Sequence, residues 1–273
     1  MKQAILIGAL ALAAVGAAYA QKDRKLKSQE EQKALQAVVM ATTPDERITA
    51  GEEFITKFPK SDFRYLALFS EAQSFQAKND YEKMVIYGER TLESDPDDAT
   101  KLQAQLLLAT GIAQRTREFD LDREEKLGRV EKYANGALDM LKTIGKPNPN
   151  LPDDQWESFK GQMASQAHEA LGLASLVRKN NDQAISEFKA AVASSKDPDP
   201  AAEVRLAAAY NKAGKYDEAI PILDKLIAKP DLHPTIRQFA QAERARAIQA
   251  KGGAAPAAPS APAPAPAAPA PKP

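Results

Sequence analysis

Two stretches of this chain repeat one pattern thirty-five residues apart. Leu171-Gly172 is followed by Ala184, Ile185 and Phe188, and Leu206-Ala207 is followed at the same offsets by Ala219, Ile220 and Leu223. The stretches read AHEALGLASLVRKNNDQAISEFKAAV and EVRLAAAYNKAGKYDEAIPILDKLI. Each has the pattern of a helix, a short polar turn and a second helix, with small residues where the two helices must touch. One such unit cannot bury its own apolar face. A period of about 34 residues therefore points to a stack in which each helix pair is covered by its neighbours.

The pattern extends toward the N-terminus. Residues 65–98 hold a third copy. There Ala72 takes the small slot, Asn79-Asp80-Tyr81 makes the turn, Met84 and Gly88 face back from the second helix, and Pro96 closes the unit. Proline cannot continue a helix, and the aspartate after it can cap the next one. A weaker copy covers 28–59. Its Thr43-Pro44-Asp45-Glu46 has the form of a capping box with proline in the first turn, and Arg47 stands where a small residue is usual.

These residues resemble the tetratricopeptide repeat family, above all in the Asp95-Pro96-Asp97 ending and the small-residue slots. The resemblance implies a right-handed superhelical solenoid that binds proteins rather than a catalyst.

Between 99 and 164 the spacing breaks. A helix is expected over 99–117, and another from a capping box at Asp122 and Glu125 to about Ile144. Gly145 and Lys146-Pro147-Asn148-Pro149-Asn150 stop it. A long helix then starts at Asp153 or Asp154 and keeps Trp156, Phe159, Met163, Ala167, Ala170, Ala174 and Val177 on one face. The middle of the array should depart from regular repeat geometry. A last amphipathic helix, 234–251, has no partner and suits the terminal cap that such stacks need. The fold class is all-α, with about five helix pairs plus a C-terminal capping helix. The organisation is a signal peptide at 1–20, a repeat domain at 21–251 and an Ala/Pro-rich tail at 252–273.

Residues 1–20 place Lys2 before an apolar run from Ala4 to Ala17 and end in Ala18-Tyr19-Ala20, the form of a secretory signal peptide cut before Gln21. Lys22, Arg24, Lys25 and Lys27 follow directly. By the positive-inside tendency they favour the alternative, an uncleaved inner-membrane anchor with a cytoplasmic adaptor behind it. Cysteine is absent, so a lipoprotein-type anchor is excluded. The tail holds eight of the 19 prolines, and its composition suits an extended spacer.

Little in the chain suggests chemistry. There is no cysteine and there are two histidines, so a thiol nucleophile is excluded and a His-rich metal site is not expected. His168 reads as a packed or surface histidine, and His233, before Pro234, as a capping residue. No Gly-rich phosphate loop or nucleophile elbow occurs. Glu124, Glu125 and Glu131 share a helix with Lys126, Arg129 and Lys132 and read as a solvated, i,i+4-paired face. Asp197 and Asp199 read as caps, Pro221 as a helix-start proline and Trp156 as core. Thirty-seven acidic and 37 basic residues give a net charge of zero, which lacks the electrostatic footprint of nucleic-acid binding. No cofactor, metal or nucleic acid is expected, and a membrane contact only if the N-terminal segment is retained.

In the resembled family the first helix of each pair lines a concave groove. Carried over by register, that face holds Leu66, Phe69, Gln73 and Gln76, then Thr100, Gln103 and Leu107, then Gln166, Glu169, Leu173 and Leu176, then Val204, Ala208 and Asn211. This surface is amide-rich and apolar and suits a peptide or a partner helix, not a carboxylate clamp. The resulting expectation is an exported scaffold in a bacterial cell envelope that binds protein partners in envelope assembly.

Overall fold

The computed structural model describes residues 24–252. The expected signal peptide and, from residue 253 on, the Ala/Pro-rich tail lie outside them. Among the described residues there are eleven helices and no strand: α1 Gln29–Met40, α2 Pro44–Lys57, α3 Arg64–Ala77, α4 Tyr81–Glu93, α5 Asp98–Arg115, α6 Arg123–Thr143, α7 Asp153–Val177, α8 Asn181–Ala193, α9 Pro200–Lys212, α10 Tyr216–Ile227 and α11 Pro234–Lys251. They form five hairpins, α1/α2 to α9/α10, with α11 as the cap. Each helix packs on its chain neighbours, and α1 reaches α3, α3 reaches α5, α5 reaches α7 and α9 reaches α11. This is a helical-repeat solenoid.

The hairpins owe their likeness to shared local chemistry. Asn79, Lys179 and Gly214 each take a left-handed φ, of 60, 62 and 73°. The next residue then donates its N–H to a carbonyl five positions back: Asp80 to Phe75, Asn180 to Ser175, and Lys215 to Tyr210. These are Schellman ends, which satisfy the last carbonyls of the first helix. Asp80 and Asn180 go on to cap the second helix by accepting from Lys83 and Gln183 N–H. At the start of α2 the Thr43–Glu46 capping box is present in full. Backbone donors of Thr43 and Thr42 hold the Glu46 carboxylate down to about 2.

Packing follows the small residues. A Cβ on Gly172 would lie 2.7 Å from the Phe188 ring, and one on Gly88 2.8 Å from Leu108. Ala207 is fully buried, as its slot requires. The cores run in sequence along the array. The first is Leu35, Val38, Phe54, Phe63 and Ala67. Phe69, Ala72, Phe75, Met84, Ala104 and Leu107 follow. A large α5–α6–α7 core and a C-terminal core under α11 complete the series. In the middle, helices of 18, 21 and 25 residues replace the 12–14 of the neighbouring ones. Trp156 is buried there.

Ahead of α1, residues 24–28 form a strap across the loop edge. Lys27 donates through Nζ to the Lys60 carbonyl at 2.8 Å. Arg24 is 8% exposed, lies 4.6 Å from the Tyr65 ring centroid and donates to the Asp95 carbonyl at 2.6 Å. The Tyr65 hydroxyl donates to Asp97 at 2.9 Å, and Asp97 caps α5 at Thr100 N–H.

Four local expectations need correction. Asp122 precedes α6 but makes no cap bond, because its carboxylate pairs with Lys126 at 2.8 Å. Pro221 lies inside α10, not at its start. Glu124 and Glu131 are not paired along their own helix with Lys or Arg at i+4; both reach across to Arg178, the residue that ends α7. Asp199 caps α9 by accepting from Ala201 N–H, whereas Asp197 meets Ser195 through its backbone, its carbonyl accepting from the Ser195 hydroxyl and its N–H donating to it.

Candidate partner-binding surfaces

The first helices α3, α5, α7 and α9 carry the expected groove residues, and the structure treats them unequally. Phe69 and Leu107 are 8% and 9% exposed and belong to the second core. Thr100 is buried at its cap. Leu66 packs on the first core, Leu173 on the two larger ones, and Leu176 and Val204 on the last. Glu169 forms an ion pair with Arg205, which ties α7 to α9. Asn211 donates to the backbone and carboxylate of Glu243 on the cap, both at 3.0 Å. Ala208 is half-buried. Gln73, Gln76 and Gln103 stay half-exposed and Gln166 exposed.

The reason is the central helix. α5 contacts α3, α4, α6 and α7, and ten of its 18 residues are buried, Leu102, Leu106 and Ile112 in the α5–α6–α7 core and Ala104 and Leu107 in the one shared with α3 and α4. A helix apolar on several faces is an interior helix. The first-helix surface therefore leaves amides exposed while its apolar members hold the fold.

The exposed apolar side chains lie elsewhere. Phe119 and Leu121, in the α5–α6 loop, are 88% and 107% exposed. The loop is braced. Arg117 N–H donates to Asp120 at 3.1 Å, Lys126 pairs with Asp120 at 3.0 Å, Arg123 donates to the Glu118 carbonyl at 2.9 Å, and Lys179 pairs with Glu118 at 2.5 Å. The sequence did carry a sign of this: an aromatic and a leucine two apart, off any helical stripe, inside Arg117-Glu118-Phe119-Asp120-Leu121-Asp122. A second apolar surface is an open furrow between α1 and α2 lined by Ala37, Met40, Thr49, Ala50 and Glu53.

The histidines have structural partners. His168 sits 2.8 Å from Glu187, joining α7 to α8, and His233 accepts from Thr235 N–H at the start of α11. Among the described residues no three His, Asp or Glu side chains gather as metal ligands would.

With this geometry in hand, comparison with known proteins is direct. The family model described as tetratricopeptide repeat matches residues 178–251, the end of the array from the α7–α8 turn through the cap. That stretch holds the Lys179 and Gly214 turns and the buried Phe188 and Ala207. A thermophilic tetratricopeptide repeat protein of Thermus thermophilus, solved by crystallography, is similar at 19% identity and a TM-score of 0.45, over 78% of this chain and 98% of that one. No curated protein matches the chain.

Proposed function

We propose that this tetratricopeptide repeat protein is an exported, non-catalytic scaffold that holds a protein partner in a bacterial cell envelope, in the service of envelope assembly. Tetratricopeptide repeats suggest a protein–protein interaction scaffold, and the exposed Phe119–Leu121 pair carries the reading further. A braced loop that keeps two large apolar side chains in water gains nothing for its own fold, and exposed apolar clusters rimmed by polar groups mark contact sites. The partner would seat these two side chains in an apolar pocket and run over the amides Gln73, Gln76 and Gln103.

The export part of the proposal draws support from the strap. Arg24 and Lys27, whose positive charge after the apolar run argues for retention in the cytoplasm, both have partners within the fold. Their presence has a folded-state reason that requires no role in topology. Lys25 is exposed, and its side chain favours the rival reading, an anchored cytoplasmic adaptor. No helix among the described residues is long and apolar enough to cross a membrane.

Two measurements test the proposal. Cell fractionation with N-terminal sequencing should find the protein outside the cytoplasm, beginning at Gln21. A cytoplasm-facing chain that still begins at Met1 would establish the anchored adaptor instead. Capture of partners from envelope extract should fall at least about tenfold in the Phe119→Ala, Leu121→Ala double variant, the loss of one buried aromatic anchor being worth that much or more. Undiminished capture would remove the loop from the binding surface.

A further inference from the structure

The turns inside the hairpins share one edge of the array, and α11 ends on that edge. Lys251, the last residue of α11, pairs with Asp217 in the first turn of α10. Lys215, in the α9–α10 turn, pairs with Asp182 in the first turn of α8 at 2.7 Å, and Asn181 donates to the Lys212 carbonyl at 3.2 Å. Lys179, in the α7–α8 turn, reaches Glu118 in the α5–α6 loop. Three steps along this edge thus lead from the end of α11 to Phe119 and Leu121. The strap lies on the opposite edge, among the loops that join one hairpin to the next, where Lys27 meets Lys60 and Arg24 meets Asp95.

The loop has spent its nearest charges on itself. Glu118 holds Lys179, and Asp120 holds Lys126. What stays free is apolar or a donor. Phe119 and Leu121 stand in water. The Arg115 guanidinium lies 3.7 Å from the Tyr81 ring centroid, and Arg117 gives one N–H to the Gln114 carbonyl at 3.0 Å. Both arginines are exposed, and neither forms an ion pair among the described residues. Such a surface fits a chain that offers apolar rings and carbonyl acceptors and little else. Residues 253–273 have that composition: eight prolines, which carry no N–H, ten alanines, and Lys272 as the one charged side chain. Proline-rich segments settle on aromatic-bearing surfaces at a low ordering cost, because their extended form is preset.

We infer that the distal part of this chain's own tail, Pro264 to Pro271, lies across Phe119 and Leu121 and competes with the partner for them; the competition, though not the contact, rests on the function proposed above. The tail begins on the right edge and is long enough. Its 21 residues reach about 65 Å as an extended proline-type helix. Three steps along the edge come to roughly 30–50 Å at ordinary helix-packing distances. A tether of this kind keeps its far end at an effective concentration on the order of 1 mM, so a contact of millimolar affinity is occupied about half the time. The apolar pair is then covered in the resting protein, and a partner that seats both side chains in a pocket displaces the tail.

The test uses the full chain, purified with its N-terminus as the cell leaves it. The protein has no cysteine, so Ser260→Cys gives one site for a nitroxide spin label, just before the docking segment. In the isotope-labelled protein the nitroxide should broaden the amide signals of Phe119 and Leu121 more than those of the α9–α10 turn, which lies nearer the tail's origin. The Phe119→Ala, Leu121→Ala double variant should lose the broadening at the loop with helicity unchanged. Pro264→Ser with Pro266→Ser and Pro269→Ser should lose it too, with the array untouched. Broadening that fades steadily from the end of α11 and ignores both sets of substitutions overturns the proposal, since the tail is then a free spacer. So does loop broadening that appears when the label and the isotope are on different chains in a mixture and vanishes on dilution, which would make the occupant a second copy. Deletion of 253–273 should raise partner capture about twofold or more, the effect of removing a half-occupying competitor. The two readings fail separately. Capture that depends on the loop, without broadening there, removes the tail contact alone. Loop broadening with capture indifferent to the double variant keeps the tail contact and removes the loop from partner binding.

Discussion

The carboxylate of Glu71 is packed against Gly51 of the neighbouring helix, so closely that a Cβ on Gly51 would lie 2.6 Å from Glu71 Oε1. Glu71 is fully buried on α3, and neither of its oxygens has a well-formed hydrogen bond. Removing a carboxylate from water disfavours its charged form. Burial, with Glu52 on α2 adding to it, pushes Glu71 up to about 8; Tyr87 and Arg90 on α4 pull the other way but less. At neutral pH this residue is mainly a neutral acid held between the first two repeats.

A raised folded-state pKa fixes the sign of the pH dependence. The contribution is fully present below the usual value of 4.5 and is lost as pH rises through about 8. Between pH 5 and 9 the unmodified protein should lose on the order of 2–4 kcal/mol of stability from this group. Glu71→Gln should flatten that slope and be the more stable form at pH 9. Urea unfolding at a series of pH values measures this, and parallel curves for the two proteins would show that Glu71 is solvated in the folded state.

Glycine positions should split sharply by what faces them. A Cβ on Gly161 would overlap the backbone carbonyl of Ser194, the end of α8, whereas one on Gly128 meets nothing within 4 Å. Gly161→Ala should destabilise by about 1–3 kcal/mol through overpacking against a backbone that cannot yield. Gly128→Ala on exposed α6 should stabilise by up to about 1 kcal/mol, the difference in helix propensity. Equal melting temperatures for the two would mean that α7 does not cross α8 at Gly161.

On the first-helix face, Gln73→Lys with Gln103→Lys should cut partner capture while leaving helicity intact, since a partner would have to desolvate both charges at about 1–3 kcal/mol each. Glu82→Lys on α4, an exposed site, should change nothing. Full capture by the double variant would leave the loop as the whole of the contact.

Arg24→Ala should lower the melting temperature and expose the strap to proteolysis before α1 is cut. The loss, about 1–3 kcal/mol, combines the cation–π contact on Tyr65 with the charge-assisted bond to Asp95. If the strap resists protease as before, Arg24 is an ornament of the surface.

Much of this architecture was legible because it is local. The Thr43 capping box, the His233 cap, the small slots at Gly172 and Ala207 and the break at Gly145 all act within one hairpin, and their residue types announce them. The groove was less legible. Phe69, Leu107 and Thr100 hold positions that face a partner in a regular repeat. Here α3, α4 and α5 close a core over Phe69 and Leu107, and Thr100 is buried at the Asp97 cap, contacts between hairpins that no single residue declares. The pairing of Glu124 and Glu131 with Arg178 was hidden for the same reason: it joins side chains 54 and 47 positions apart.

The strap also sets an order of events. Arg24 finds its acceptor on Asp95, 71 residues later in the chain. When the polypeptide emerges, Lys27 can meet Lys60 and Arg24 can meet Tyr65 as soon as α3 is made, but Arg24 waits longer for Asp95. The last contact of the strap thus joins its first described residue to the far end of the second hairpin.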